Sequence, residues 1–503
     1  MPASLRRYLP ALIVLLALVL RLWGIAWGLP DASHLFSYHP DESRVVGQAL
    51  MQPGQNILDT GFYNYGSLAT LTDRFLLLAT GALTNIPTAS SLLLVRFVTV
   101  AYGIGTCALL ILFGKRLEKP DVGLSAAALY AVAPLAVQHG HFATVDVPAT
   151  FWVTASLLTA LANPKLFWCG LFTGLAAATK YNAGLVLLAG VAAWFLLERR
   201  SLKSLGLLLS GAALGFLLGC PGVLVNFPKF WEHFTFELAH SRTAQIDFVG
   251  QTAALYWPTL GLLAALGSPL WLVGVGRALA TRTRTGLTLL TFVLPYLLLL
   301  CVSANQYVRY ALPLLPALCW LIASLPWKPL VALGGTLSLL FSLALCSVMA
   351  GPDPRDEAAA FLKQKGVASV GFATGPWFYS PPLHPGLSHP SPRRAKSAAE
   401  SSEPLKLFAV PPGRDWDATL LDETQPDAVA LSEIEYTALI QKKNPQALAY
   451  LAALTARYPI KTVFAHPLPL LGARQSSGLP CQPLPIDMLY TNQSVVISTK
   501  ESL

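Results

Sequence analysis

The first long apolar run reads LPALIVLLALVLRLWGIAWGL from Leu9 to Leu29, with Arg6 and Arg7 just ahead of it. A helix needs about 20 apolar residues to cross the hydrocarbon layer of a bilayer, and this run supplies them. It also exceeds the roughly 7 to 15 residues of a leader-peptide core, so we read it as a retained first helix. Ten more blocks follow, at 90–114, 121–138, 146–162, 166–179, 182–197, 204–220, 259–276, 286–302, 308–325 and 329–349. The chain therefore reads as an α-helical polytopic membrane protein with about 11 transmembrane helices.

Composition supports lipid as the solvent. Hydrophobic residues make up 54% of the 503 positions and charged residues 12%, where soluble domains carry roughly 25% charged. A soluble protein with an oversized core would spread its apolar residues at helix or strand spacing, whereas here they are contiguous. The net charge of +9 does not point to nucleic acid, because Lys and Arg lie between the blocks and not in a patch interleaved with aromatics. Six of the seven cysteines fall in or beside apolar blocks without metal-ligand spacing, and Cys481 stands alone in the tail.

Topology follows from charge. With the N-terminus cytoplasmic, each inside loop holds basic residues, among them Lys115, Arg116, Lys119, Lys165, Arg199, Arg200, Lys203, Arg277, Arg282, Arg284 and Lys328. That satisfies the positive-inside bias. The outside face then receives long loops near 30–89 and 221–258, and an odd number of spans leaves the tail outside. We expect a membrane module over 1–350 and a soluble extracytoplasmic α/β domain over 351–503. Asp353-Pro354-Arg355-Asp356-Glu357 starts a helix with a cap, a first-turn Pro and acids at the positive dipole end. Short apolar runs at 367–372, 405–410, 428–431, 462–465 and 494–498 predict strands, 446–457 a helix, and 376–404 a long loop.

Residues able to do chemistry gather at the outer ends of spans. Tyr38-His39-Pro40-Asp41-Glu42 follows the first span, and two adjacent carboxylates at a bilayer edge must face water, a metal or a cavity. A solvated acid pair capping a helix at Asp41 is the structural alternative. Gln138-His139-Gly140-His141-Phe142-Ala143-Thr144-Val145-Asp146-Val147-Pro148 lies between the third and fourth spans, and its Asp146 is either an N-cap or a site acid. Lys180 with Tyr181 and Arg309 with Tyr310 place cations outside, against the topological bias. Snorkelling to headgroups would explain them, and so would a phosphate pocket. In the second long loop Lys229, Glu237, His240 and Arg242 are further candidates. Arg21 and Arg96 lie deeper and are expected to face the bundle.

The Asp-Glu pair, the His-x-x-x-x-Asp-x-Pro stretch, Gly174-Leu175-Ala176-Ala177-Ala178-Thr179-Lys180-Tyr181 and Arg309-Tyr310-Ala311-Leu312-Pro313-Leu314-Leu315-Pro316 together resemble the GT-C glycosyltransferases. Within them the chain is most similar to the branch of the protein O-mannosyltransferases and the lipid A aminoarabinose transferase. The likeness covers about residues 1–350. It implies a hexosyl- or pentosyltransferase that moves a sugar from a polyprenyl-phosphate donor to an acceptor hydroxyl at the extracytoplasmic face, by one inverting displacement.

Carried over, the resemblance makes Asp41 the acceptor-activating carboxylate, with Glu42 and Asp146 supporting it or holding a divalent metal. Lys180 and Arg309 would neutralise the donor phosphate, and His39, His141, Tyr181, His240 and Arg242 would line the substrate site. The implied partners are the donor lipid, membrane lipids and a glycan, lipid or protein acceptor, in the plasma (inner) membrane. The rival reading is a transporter or lipid flippase. It would need charges at mid-membrane and paired broken helices, whereas the ionisable residues cluster at span ends.

Overall fold

The structure is a computed structural model that describes residues 3–51, 54–81, 86–162, 166–196, 200–243, 253–384, 405–408, 410–468, 474–476 and 478–502. The chain divides into two compact units: Met1–Ile25 with Arg44–Cys346, and Ala26–Ser43 with Ser347–Leu503.

The apolar blocks of the first unit are largely helical, but the first helix, Ala3–Leu22, stops short of the expected Leu29, and the chain turns from Trp23. Helices Ala89–Arg116, Leu202–Gly219, Arg284–Val302 and the run beginning at Lys328 are long and apolar enough to cross a membrane singly. Asp146–Ala162, Leu166–Thr179, Tyr181–Leu196 and Val308–Ala323 are shorter apolar helices.

Two blocks expected as single spans are bent pairs. Pro120–Ala131 and Pro134–His141 meet at 63°, because Ala133 is extended (ψ 122°) ahead of a proline, which disfavours helical backbone before it. Ala253–Leu266 and Leu270–Thr281 meet at 109°. There Gly267 closes the first helix in the left-handed region (φ 68°) and Pro269 precedes the second. By length and composition, the described helices thus supply four spans, or up to six if each bent pair is one.

Helices Leu166–Thr179 and Leu202–Gly219 run backbone to backbone. A Cβ at Gly170 would stand 2.0 Å from the Leu208 carbonyl oxygen, and one at Gly215 2.1 Å from that of Leu171. Small residues are what permit such approach where lipid supplies no hydrophobic drive. The stretch expected as loop over 30–89 contains helices Glu42–Ala49 and Leu68–Ala79. Arg74, fully buried, gathers the chain between these helices by donating to the carbonyls of Gln48, Ala49, Asn56, Ile57 and Asp59 at 2.8–3.4 Å.

The second unit is an α/β sandwich. Its strands are β1 (Ser369–Phe372), β2 (Lys406–Phe408), β3 (Ala428–Ser432), β4 (Ile460–Phe464), β5 (Arg474–Ser476), β6 (Leu479–Cys481) and β7 (Val495–Thr499). The main sheet has the order β2-β1-β3-β7-β4, while β5 and β6 form a hairpin absent from the sequence reading. β1 runs parallel to β2 and β3, and β7 antiparallel to β3 and β4.

Side chains alternate across the sheet as the period of two requires. Val429, Leu431 and Val496 join Tyr436, Tyr450 and Leu454 on one face. Ala428, Ala430, Val495 and Ile497 join Ala358 and Leu362 on the other. The five runs read as strands and the helix at 446–457 are therefore present, the last as Pro445–Arg457. Of the expected loop at 376–404, residues 385–404 lie outside the described residues. Cys481 is buried, with the Thr437 hydroxyl directed at its sulfur.

Glu435 closes a capping box with Ser432 and accepts the Thr374 hydroxyl at 2.5 Å. Burial pushes its carboxyl up to about 7. Because the folded value lies above the ordinary 4.5, the unfolded chain loses its proton first as pH rises. Stability of this unit should therefore fall between about pH 4.5 and 7. Glu435→Gln is expected to flatten that slope, measured as hydrogen exchange of the β3 amides in the full chain, and an unchanged slope would assign it elsewhere.

Candidate active site

In the first unit the site grows out of the break at Ala131–Pro134. A broken helix leaves carbonyls without intrahelical donors, and inside a membrane each must be satisfied by protein. Arg21 Nη1 donates to the Ala131 carbonyl at 3.2 Å and Ser342 Oγ to the Val132 carbonyl at 2.8 Å. Arg21 thus faces the bundle as expected, fully buried, and also bonds the Ala17 carbonyl. Beyond the break a short helix and a tight turn bring the chain to Asp146, with every residue from Tyr130 to Thr150 buried. His141 is fixed on this path, its ring nitrogens 2.8 and 3.1 Å from the carbonyls of Val137 and Trp23.

Asp146 opens helix Asp146–Ala162, and its carboxylate takes Lys180 Nζ at 2.5 Å. Both side chains are buried, Lys180 at 7% exposure and Asp146 at 3%. The ammonium therefore does not snorkel to headgroups; it forms a buried ion pair. Lys180 also sits 4.3 Å from the centre of the Tyr310 ring. Arg309 lies 5.5 Å from that ring and 4.1 Å from Tyr307. Tyr310 is held in turn by Tyr296, whose hydroxyl donates to its carbonyl at 3.1 Å. Beside Lys180, Tyr181 donates to the Tyr63 carbonyl at 2.5 Å.

The structure thus joins Asp146, Lys180 and Arg309, and adds Tyr307, Tyr310 and Tyr296. Of these only Tyr310 had a signal, as the neighbour of Arg309. His240 ends helix Phe227–His240 and stacks on Phe236, with Arg242 exposed just beyond it; the carbonyls of His240 and Thr243 both accept Asn305 Nδ2 at 3.2 Å.

Asp41, Glu42 and His39 lie in the second unit. Glu42 is fully buried and accepts the Ser37 hydroxyl. Ser37 Oγ in turn accepts the His39 amide at 3.0 Å, and His39 Nδ1 that of Asp41 at 3.3 Å. Asp41 is half-buried. Glu42 is therefore the inner acid of the pair and Asp41 the outer.

The segment that carries these residues is fastened by Asp353 and Arg355. Asp353 caps its helix, as the sequence suggested, by accepting the Arg355 amide at 2.9 Å. It also holds the Arg355 guanidinium at 2.7 and 2.6 Å and accepts Trp27 Nε1 at 3.1 Å. Arg355 lies 3.7 Å over the Tyr38 ring, and Tyr38 donates to Asp356 at 2.5 Å. Sequence reasoning took the Asp-Pro-Arg run for a helix cap that opens the second domain, not for a fastening. Trp27 and Tyr38, aromatics with a polar handle near charges, were the available signal.

A divalent metal was left open. Among the described residues no group of three or more His, Cys, Asp or Glu side chains is placed to hold one.

Residues 79–224, which contain Asp146 and Lys180, match the family model described as dolichyl-phosphate-mannose-protein mannosyltransferase. No curated protein matches the chain. Among solved structures, ArnT from Cupriavidus metallidurans in the apo state aligns over 97% of this chain and 98% of its own, at 15% identity and a TM-score of 0.51. The same protein bound to undecaprenyl phosphate aligns over 97% of each chain at 13% identity, with a TM-score of 0.48. The Saccharomyces cerevisiae Pmt1–Pmt2 complex bound to the sugar donor aligns over 49% of this chain and 36% of its own, at 21% identity and a TM-score of 0.33.

The fold is that of the GT-C enzymes. The match to the mannosyltransferase model spans the Asp146–Lys180 region and under a third of the chain, and the likeness to ArnT is one of fold.

Removing one partner of a buried pair strands the other charge, at a cost of about 3 to 5 kcal/mol. Lys180→Met should therefore destabilise the bundle by that order, and adding Asp146→Asn should recover most of the loss. Thermal unfolding in nanodiscs reads both, and a double variant no better than the single would show that the ion pair is not the cause.

Proposed function

We propose that the chain transfers a sugar from a polyprenyl-phosphate donor to an acceptor hydroxyl at the extracytoplasmic face of the plasma (inner) membrane. What carries the reading is the arrangement of Lys180 and Arg309 about one tyrosine ring, Tyr310, with Asp146 fixing the lysine. Asp146 and Lys180 lie within the region matching the mannosyltransferase model, and Arg309 and Tyr310 beyond it. Two cations held this way suit the phosphate of a lipid donor, since a departing phosphate needs charge stabilisation that is already in place.

Asp41 is the proposed base. In a single displacement the acceptor oxygen bonds to the anomeric carbon, the carbon–oxygen bond to the polyprenyl phosphate breaks, and the acceptor proton passes to the Asp41 carboxylate. Half-buried Asp41 suits that role better than Glu42, which is enclosed with Ser37. The basic residues between spans support a cytoplasmic N-terminus. We assign residues 1–350 to the catalytic module and 351–503 to an extracytoplasmic domain. The sugar is a hexose or pentose, and the acceptor a glycan, lipid or protein.

Release of polyprenyl phosphate from a polyprenyl-phosphate sugar by the purified protein is the direct assay. Asp41→Asn should insert and bind donor while turnover falls about 10² to 10⁴-fold, the usual contribution of a general base. Arg309→Ala should weaken donor use by about 1.5 to 3 kcal/mol, as loss of a charged hydrogen-bond partner does. Normal turnover in Asp41→Asn would remove its role. No release from any such donor would sink the reaction itself.

A further inference from the structure

Helix Phe227–His240 turns outward an apolar face that no described residue of its unit covers. Phe227, Trp231 and Leu238, at spacings of four and seven, are each at least half exposed. Their rings form a ladder, Phe227 stacked on Trp231 at 6.1 Å and Trp231 on Phe234 at 5.9 Å. Lys229, paired with Glu232 at 3.0 Å, lies around the helix from this face. A third face looks inward: Phe230 is buried against Tyr63 and Tyr181, and His233 Nδ1 accepts the Tyr63 amide at 3.0 Å.

What covers the outer face follows from continuity. Helix Leu202–Gly219, a span by length and composition, presents Leu214, Leu217 and Leu218 to its surroundings. The chain continues through exposed Leu224 and Val225 directly into Phe227. A charged face, an apolar face and tryptophan at the end of a span are the marks of a helix lying in the interface of a bilayer.

The inner face connects this helix to the candidate site. Asn226 donates to Asp59 at 2.7 Å, and Tyr63 donates to the other oxygen of Asp59 at 2.6 Å. The Tyr63 carbonyl receives the hydroxyl of Tyr181, the residue after Lys180. Gly222 lets the chain pass against the Tyr63 ring, where a Cβ would come within 2.1 Å.

We propose that helix Phe227–His240 is seated in the acyl–headgroup boundary of the bilayer through Phe227, Trp231, Phe234 and Leu238, and that this seat, acting through Tyr63 and Tyr181, positions Lys180. Lipid is the partner, and Tyr63 and Tyr181 are positioning residues. The second half of the inference rests on the donor site proposed above.

The test places spin labels at Trp231→Cys and Lys229→Cys in a Cys301→Ser background, in nanodiscs of phosphatidylethanolamine and phosphatidylglycerol. The label at 231 should collide with lipid-dissolved oxygen and the label at 229 with a water-soluble nickel chelate. Equal nickel access at both positions would overturn the seat. So would shielding of 231 from both reagents with short label–label distances between copies, or shielding that appears only on adding polyprenyl phosphate, which would make the donor chain the occupant.

Link and seat separate in turnover. Replacing Phe227 and Trp231 by Ser should slow turnover in nanodiscs roughly 2- to 30-fold, the span of ordinary coupling energies, and Tyr181→Phe should remove most of that sensitivity. An equal effect in both backgrounds would overturn the link. If no donor turns over at all, the donor site has failed, while the label measurement still decides the seat.

Discussion

A carbonyl oxygen inside a bilayer has no water to turn to, and this requirement shapes the first unit around residues 131–134. Pro134 stops one helix and the carbonyls of Ala131 and Val132 are left to be answered. The answers come from the first helix and from the run beginning at Lys328, through Arg21 and Ser342. Because the break is secured from near both ends of the first unit, the buried path from Pro134 to Asp146 has a defined course. Asp146 then sets Lys180, and Lys180 shares Tyr310 with Arg309. Gly103 and Gly140 complete the arrangement, since a Cβ on either would stand 2.8 Å from an Arg21 side-chain atom.

The second unit solves a different problem, that of holding a guanidinium in a core. Arg355 is fully buried, where a lone cation would be costly. Its charge is met by Asp353, its other donors by the carbonyls of Phe378 and Tyr490, and its face by the Tyr38 ring. Such a pair adds little net stability, but it accepts only one geometry. That selectivity fixes Trp27 and Tyr38, and with them His39, Asp41 and Glu42.

Much of this was legible in advance, for identifiable reasons. Long contiguous apolar blocks and strands bounded by turn residues are one-dimensional patterns, and blocks such as 146–162 and 166–179 are helices over just those residues. Lys180 and Asp146 were singled out because charges at membrane boundaries are costly, yet their pairing joins residues 34 apart. No local pattern encodes it. The bends at 131–134 and 267–269 were missed because hydropathy continues through them while the backbone does not. Arg74 was missed as an organiser because its partners are backbone carbonyls, which carry no sequence signature, and Arg355 because the carbonyls and the ring it gathers are distant in sequence.

The bond from Trp27 to Asp353 joins residues 326 apart. Ribosomes add about 5 to 20 residues per second, so the segment with Trp27 and Tyr38 exists for tens of seconds before its fastening residues are made. During that interval its aromatic side chains have no core of their own. Biogenesis thus has an order: the bundle helices are inserted while this early segment waits, and the setting of Glu42 and Asp41 is completed only when the last third of the protein emerges. A stalled or shortened nascent chain would carry a fully inserted bundle beside an unfinished carboxylate pair.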